Sequence, residues 1–188
     1  RKGDVLSRAS NRMISKFYRV GKRYIPSYET IAEIRVILGP QDDYFNEEAI
    51  ELFLSSTYIV TKDSDRMGYR LEGPEIRAKS KHDIITDAII PGVVQVPGNG
   101  KPIIMLKDAQ TTGGYTKIAT CIWSDLSKLA QLKPGDKLKF KAVDLKQAHE
   151  VFREREKLIE EIKVSLETVK YFDIKVNGKL YDVVIENF

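Results

Sequence analysis

Residues 93–122 read VVQVPGNGKPIIMLKDAQTTGGYTKIATCI, and this stretch decides the fold. Three short runs in it are rich in β-branched and other apolar residues, at 93–96, 103–106 and 118–122, and PGNG and TTGG separate them. Short strands at this spacing, broken by glycine and proline, are typical of antiparallel barrels and sandwiches. The stretch therefore predicts a mainly β protein.

The segment before this stretch adds strands and one short helix. Residues 32–38 alternate apolar and polar side chains, as a strand with one buried face does. Asn46 then begins a short helix with acidic residues in its first turn. Residues 58–60 and 69–71 predict two further strands.

The segment after the stretch completes the barrel. A second short helix is predicted with Ser124 as its N-cap. Residues 137–142 alternate lysine with apolar side chains and predict a strand. We therefore expect a mixed closed β-barrel over residues 30–143 with two short helices.

A helix and a hairpin are predicted to follow the barrel. Asp144 and Gln147 have the spacing of a capping box, and the apolar stripe behind them predicts a long helix to about Glu167. Asn177-Gly178 lies between two alternating runs, which is the signature of a tight β-hairpin.

The composition is that of a globular protein, with 42% apolar and 31% charged residues among 188. We expect three parts: an irregular basic leader at 1–29, the barrel at 30–143 and the helix with its hairpin at 144–188. Because the first residue is Arg1 and not Met, we expect the chain to be a piece of a longer polypeptide.

The charge distribution and the cysteine content restrict the partners and the compartment. Residues 1–29 hold eight Lys or Arg and two acidic side chains, but the rest of the chain offers no basic groove, so we interpret the leader as a solvated connector and not as a nucleic-acid arm. Cys121 is the only cysteine, which fits a reducing compartment. No apolar run approaches the roughly 18–20 residues of a membrane span. We expect a cytoplasmic protein that binds neither nucleic acid nor membrane.

Several common catalytic motifs are absent from the sequence. It has no complete phosphate-binding loop, no dinucleotide fingerprint and no Gly-x-Ser-x-Gly elbow. His82 and His149 are the only histidines, and we expect both to be exposed polar residues. A zinc site or a serine–histidine relay is therefore not expected, and no metal is predicted.

The first of three candidate segments is SDRMGY at residues 64–69. Arg66 can clamp a carboxylate or phosphate through its guanidinium, and Asp65 can fix the Arg66 rotamer. The alternative is an ordinary charged turn between two strands.

The second candidate segment is QVPGNG at residues 95–100. Gln95 interrupts an apolar strand and needs a hydrogen-bond partner there, because an unpaired buried amide is costly. With Asn99 it can recognise an amide-bearing ligand. The alternative is a structural hydrogen bond inside the barrel followed by a glycine turn.

The third candidate segment is DAQTTGGY at residues 108–115. Its glycines allow backbone N–H groups to approach an anion closely, and its threonines add donors. The alternative is a long hairpin loop.

Four motifs in order resemble the signature segments of a known family. They are residues 39–45, 64–73, 95–100 and 110–115. The sequence resembles the C-terminal half of the allophanate hydrolase subunit 2 family, also known as the family of the 5-oxoprolinase C component, or the KipA-like or biotin-dependent carboxyltransferase-like family. The resemblance extends over about residues 34–148.

This resemblance implies a fold, an activity and partners. The fold would be a cyclophilin-like barrel. The activity would be the ATP-dependent opening of 5-oxoproline to glutamate, together with a subunit 1 type protein (like the 5-oxoprolinase B component) and a third oxoprolinase subunit. One alternative is carboxyl transfer from biotin to urea. Another is a non-catalytic regulator that antagonises an inhibitor of a sporulation kinase.

The resemblance also directs attention to a site for small amides. Activating an amide or urea builds negative charge on the carbonyl oxygen, which fixed donors stabilise. We predict Arg66, Gln95 and Asn99 as catalytic residues. The predicted substrate-binding residues are Asp65, Tyr69, Gly98, Gly100, Gln110, Thr111, Thr112, Gly113 and Tyr115. Because these donors include no evident base, we expect turnover only with the partner proteins.

The chain end departs from the family core. Residues 172–181 are similar to the opening strands of biotin-carrier modules, but the lysine-bearing biotin motif is absent.

Overall fold

The structure, a computed structural model, describes residues 20–27 and 31–186. The chain divides into two compact units, Ser27–Lys157 and the two chain ends, Arg1–Pro26 with Leu158–Phe188. Most of the predicted leader lies outside the described residues, and the three predicted domain boundaries stay predictions.

Eight strands and two short helices build the larger unit. The strands are β1 (Ile31–Leu38), β2 (Thr57–Val60), β3 (Gly68–Glu72), β4 (Asp83–Ala88), β5 (Val93–Val96), β6 (Ile103–Met105), β7 (Thr112–Cys121) and β8 (Lys137–Ala142). The helices are α1 (Glu47–Ser55) and α2 (Leu126–Leu129). Two 3-10 turns of this unit lie at Asp42–Tyr44 and Trp123–Asp125, and a third, at Lys22–Tyr24, belongs to the other unit.

Seven of the strands close into a barrel. Their order is β1-β8-β2-β3-β6-β5-β7, and β7 pairs again with β1 to complete the ring. β1 and β8 are parallel, whereas the other pairs are antiparallel. β4 is not part of this ring. It pairs with the first residues of β7, from Thr112 to Tyr115. The predicted mixed closed barrel is confirmed.

Along several barrel strands every second side chain is buried, and these side chains fill the barrel interior. In β1, Ala32, Ile34 and Val36 are buried while the residues between them are more exposed. At one end of the core Phe53 of α1 stacks on Phe140 of β8, with ring centroids 4.4 Å apart. Burying a side chain of this size contributes about 1.5–3 kcal/mol.

The predicted start of α1 is confirmed. Asn46 Oδ1 accepts a hydrogen bond of 2.9 Å from the N–H of Ala49, one of the donors that a helix N-terminus leaves unpaired. Glu47 and Glu48 occupy the first turn, where the helix dipole favours negative charge.

Two local predictions about this unit are wrong. Ser124 does not cap α2, because a 3-10 turn at Trp123–Asp125 precedes the helix and Ser124 lies inside that turn. Thr112, Gly113 and Gly114 do not form a loop but belong to β7, because the unpredicted strand β4 pairs with them.

The prediction for His82 is also wrong. Its Nδ1 lies 2.9 Å from the carbonyl oxygen of Val96, and its Nε2 accepts from the N–H of Ala78 at 3.3 Å. The ring is half-buried and joins two chain segments, whereas His149 is exposed as predicted.

The helix and hairpin predicted after the barrel are confirmed. α3 spans Leu145–Thr168, and its capping box is reciprocal: Asp144 N donates to Gln147 Oε1 at 3.0 Å and Gln147 N to Asp144 Oδ1 at 2.7 Å.

The hairpin of β9 (Val169–Val176) and β10 (Lys179–Glu186) turns at Asn177 and Gly178. Both turn residues have positive φ, at 50° and 82°, as a type I′ turn requires. Within the described part of the chain no helix is both long and apolar enough to cross a membrane.

Candidate functional site

A cluster of polar side chains lies on the outer side of the barrel where β4, β5 and β7 meet. Gln95 alternates with the core residues Val94 and Val96, and it is the cross-strand partner of Lys117. Asp87 of β4 is the partner of Gly113 on the other side of β7. These pairings bring Gln95, Lys117 and Asp87 onto one patch.

Lys117 is the most buried cation of this patch, with 2% of its side chain exposed. Its ammonium forms an ion pair with Asp87 and donates to the carbonyl oxygen of Ala88 at 3.2 Å. A buried charge is tolerated only when it is paired and hydrogen-bonded. Lys117 therefore depends on Asp87 and Ala88.

Asp87 has a different environment, because 49% of its side chain is exposed. The hydrogen bond from Lys117 lowers the pKa of Asp87, and the N–H of Ala88, at 2.7 Å, and the charge of Lys117 lower it further. Gln41 approaches as well, with Nε2 3.4 Å from Asp87 Oδ2 and Oε1 accepting from Lys117 N at 3.2 Å. The result is a fixed, accessible carboxylate that is ionised at neutral pH.

Gln95 is 2% exposed, and of its side-chain amide only the nitrogen has a hydrogen-bond partner among the described residues. Nε2 donates to the carbonyl oxygen of Tyr115 at 3.4 Å, while Oε1 accepts no hydrogen bond from the described residues. A Cβ at Gly113 would lie 2.8 Å from Gln95 Nε2 and 3.2 Å from Ile89 Cδ1. Because Gly113 has no side chain, the Gln95 amide can occupy this space.

The SDRMGY segment lies at a separate cavity of about 650 Å³. Asp65, Arg66 and Tyr69 line it, and the Tyr69 hydroxyl donates to the carbonyl oxygen of Leu132 at 2.8 Å. Burial raises the pKa of Tyr69, and the charge of Asp136 adds to this effect.

The expectation that Asp65 fixes the Arg66 rotamer is wrong. Arg66 Nε and Asp108 Oδ2 are 2.9 Å apart, so the partner of Arg66 is Asp108. Asp65 Oδ1 accepts instead from the N–H groups of Met67, at 2.8 Å, and Gly68, at 3.2 Å. The Asp65 carboxylate therefore closes a local turn.

The PGNG segment forms a turn of its own. Gly100 N donates to the carbonyl oxygen of Pro97 at 2.8 Å, and Gly100 has a φ of +72°. Asn99 Oδ1 accepts from the N–H of Lys101 at 3.0 Å. Asn99 and Gln95 therefore bond to different groups and share no partner among the described residues.

The predicted residues thus fall into three places. The structure brings Gln95, Gly113 and Tyr115 together in the polar cluster, Asp65, Arg66 and Tyr69 at the cavity, and Gly98, Asn99 and Gly100 in the turn. Thr112 lies next to Gly113 at the start of β7 and pairs with Ala88 of β4. Gln110 and Thr111 precede β7, and the Thr111 carbonyl accepts from Ile89 N at 2.9 Å. The roles assigned to all these residues stay predictions.

The sequence interpretation missed Lys117, Asp87 and Gln41. One signal was available: Lys117 begins the apolar run that ends β7, where a cation needs a partner. That partner was not identifiable, because β4 was not predicted. Within residues 20–27 and 31–186 no group of three or more His, Cys, Asp or Glu could hold a metal ion.

Comparison with known proteins assigns the family. The fold and the site define a closed mixed barrel with a small polar site on its outer side. The chain belongs to the family described as "Carboxyltransferase domain, subdomain A and B", whose model matches residues 1–142.

Among its relatives is the C component of the 5-oxoprolinase of Haemophilus influenzae, 36% identical over 86% of this chain and 50% of that protein. The same component of Escherichia coli K12 is 36% identical over 69% of this chain and 42% of that protein. The chain thus spans about half the length of these curated relatives.

Among solved structures, the K. lactis urea amidolyase matches with a TM-score of 0.70 and 27% identity. The match covers 76% of this chain and 9% of the urea amidolyase chain. The resemblance to this family is confirmed.

Proposed function

We propose that this chain is part of an ATP-dependent 5-oxoprolinase complex and that the polar cluster binds the lactam edge of 5-oxoproline. The observation that carries the proposal is Asp87, a half-exposed carboxylate held beside the buried Lys117 and the half-satisfied amide of Gln95. The relatives named as the C component of 5-oxoprolinase support the choice of substrate.

The chemistry of a lactam matches these groups. A lactam presents an N–H donor next to a carbonyl acceptor, and Asp87 supplies the acceptor for the N–H. A hydrogen bond from the N–H to a carboxylate moves electron density onto the carbonyl oxygen, the atom that an ATP-dependent opening must activate. The Gln95 amide donates one of its two hydrogens to the carbonyl oxygen of Tyr115, and the second hydrogen would stabilise this oxygen.

Lys117 and Gln41 act as positioning residues in this proposal. Lys117 is too buried to touch substrate, but it keeps Asp87 ionised and fixes its orientation. Gln41 bridges the Lys117 backbone and the Asp87 carboxylate.

The residues of the cluster do not fit ATP. Its buried cation is already neutralised by Asp87, so Lys117 offers no spare positive charge to a triphosphate. We assign the nucleotide to the partner proteins, one like the 5-oxoprolinase B component and one a third oxoprolinase subunit. On its own the chain should show no turnover.

The test compares two acids of β4 in the reconstituted complex. Asp87→Asn removes the charged acceptor, and because a charge-assisted hydrogen bond to the substrate is lost, kcat/KM for 5-oxoproline should fall by roughly one to two decades. Asp83→Asn, which changes an exposed acid of the same strand, should leave it unchanged. Equal activity of Asp87→Asn and wild type, with both folded, would contradict the proposal.

Urea carboxylation is the second candidate function, and the match to the K. lactis urea amidolyase favours it. Urea presents the same N–H and carbonyl edge, so Asp87 and Gln95 would keep their roles. Biotin would carry the carboxyl group. Carboxyl transfer to urea without lactam opening would establish this function. Tight binding to the partner proteins with neither activity would favour the regulatory role.

A further inference from the structure

The cavity beside Tyr69 is lined by apolar residues and by four basic residues. Tyr69, Leu126 and Trp123 are among its apolar lining residues, and Trp123 is 61% exposed. The side chains of Lys107 and Arg155 also line it. At about 650 Å³ the cavity is within the range of ligand-binding sites and far larger than a small amide needs.

The basic side chains at the cavity are not all neutralised. Arg66 pairs with Asp108, and Lys133 pairs with Asp136. Lys107 has no ion pair with any described residue, and neither has Arg155.

Arg155 is instead held at the cavity by a backbone contact. Its Nη1 donates to the carbonyl oxygen of Trp123 at 3.4 Å. Asp65, the acid that lines the cavity, is occupied by two backbone N–H groups. Two cations are therefore left to meet an anion.

We infer that this cavity binds an organic anion with an apolar, ring-containing body, at a site separate from the polar cluster. The ring would pack against Trp123 and Leu126, and the anionic group would contact Lys107 and Arg155. Because a tryptophan face also attracts cations, the two basic side chains are what select an anion. This inference does not depend on the proposed function.

The experiment uses the only tryptophan of the chain as its reporter. The fluorescence of Trp123 in the full 188-residue chain is titrated with phenylbutyrate and, in parallel, with phenylbutanol, which has the same ring without the charge. We expect saturable binding of both, with the anion bound on the order of tenfold more tightly, as one charge-assisted contact provides.

Charge variants then locate the anionic group. In Lys107→Gln/Arg155→Gln the preference for phenylbutyrate should fall to about one, while phenylbutanol binding is retained. Lys107→Gln alone should reduce the preference in part, and it leaves the Arg155 contact intact. Lys139→Gln removes an exposed lysine of β8 that does not line the cavity, and it should change nothing.

Three results would overturn the inference. They are no saturable change in Trp123 fluorescence, equal affinity for the acid and the alcohol in wild type, and a loss of preference in Lys139→Gln as large as in the double variant.

Discussion

The ammonium of Lys117 is almost completely buried, and its counter-charge, Asp87, is half exposed. The two residues lie on neighbouring strands, and Gln41 contacts both. An ion pair with one buried member is asymmetric, because removing the exposed partner leaves an uncompensated charge in the interior. Its two halves should therefore respond differently to substitution.

Asp87→Asn should destabilise the protein more than Lys117→Met. The first change leaves the Lys117 ammonium buried without its counter-charge, whereas the second replaces the cation by an apolar chain of similar length and leaves Asp87 facing water. Urea denaturation of both variants measures the difference. A larger loss in Lys117→Met would contradict this account.

The same pair predicts a pH dependence. The pKa of Asp87 lies below its ordinary value of 3.8, so Asp87 contributes stability above that value and loses the contribution as the pH falls through its folded-state pKa. The stability difference between wild type and Asp87→Asn should therefore be constant near neutral pH and shrink in strong acid. Chemical denaturation at a series of pH values tests this, and a difference that persists below both pKa values would refute it.

The two glycines of β7 should differ sharply when each is replaced by alanine. A Cβ at Gly113 would lie 2.8 Å from Gln95 Nε2, whereas at Gly114 the nearest atom is the Ile84 carbonyl oxygen at 3.5 Å. Gly113→Ala should cost about 1–3 kcal/mol, the usual range for overpacking. Gly114→Ala is the matched control and should cost much less.

A second substitution identifies the cause. In the Gln95→Ala background the clash with the Gln95 amide is gone, so Gly113→Ala should cost little more. Thermal unfolding of the four proteins gives this coupling, and simple additivity would show that Gly113 is not there to make room for Gln95.

Much of the fold was predictable because its signals are local. The capping box of Asp144 and Gln147 and the turn at Asn177-Gly178 each depend on residues a few positions apart. The polar cluster was not predictable in the same way. Gly113 reads as a turn residue, but its role depends on Gln95, eighteen positions away in sequence, and Lys117 depends on β4, whose exposed residues give only a weak strand pattern.

Asp125 should be one of the most sensitive positions of the barrel. It is 3% exposed and accepts from the backbone N–H of Arg35 at 2.8 Å and from the guanidinium at 2.9 and 2.5 Å, and this contact raises the pKa of Arg35. Asp125→Ala should cost about 1–3 kcal/mol, because the backbone N–H of Arg35 loses its acceptor, while the Arg35 guanidinium is 30% exposed and can reach water.

A surface pair offers the control for Asp125. Glu33 and Lys141 are both about half exposed, so Glu33→Gln should cost less than about 1 kcal/mol. Denaturant unfolding compares the two variants, and similar losses would show that the contact between Arg35 and Asp125 adds no more than a surface pair.

Arg66→Ala should lower activity without lowering stability. The Arg66 side chain is 84% exposed and its partner Asp108 is 44% exposed, so the pair contributes at most about 1 kcal/mol to folding. Arg66→Ala tests the alternative that the substrate binds at the cavity and not at the polar cluster. There a substrate carboxylate or phosphate would displace Asp108 from Arg66 in the assembled complex. Loss of that charged contact, about 1.5–3 kcal/mol, should reduce kcat/KM for 5-oxoproline by roughly one to two decades.

Arg70→Ala, at an exposed arginine of β3, should have no effect on kcat/KM. If Arg66→Ala melts like wild type and turns over at the wild-type rate, Arg66 contacts no substrate anion, and its role is confined to the pair with Asp108.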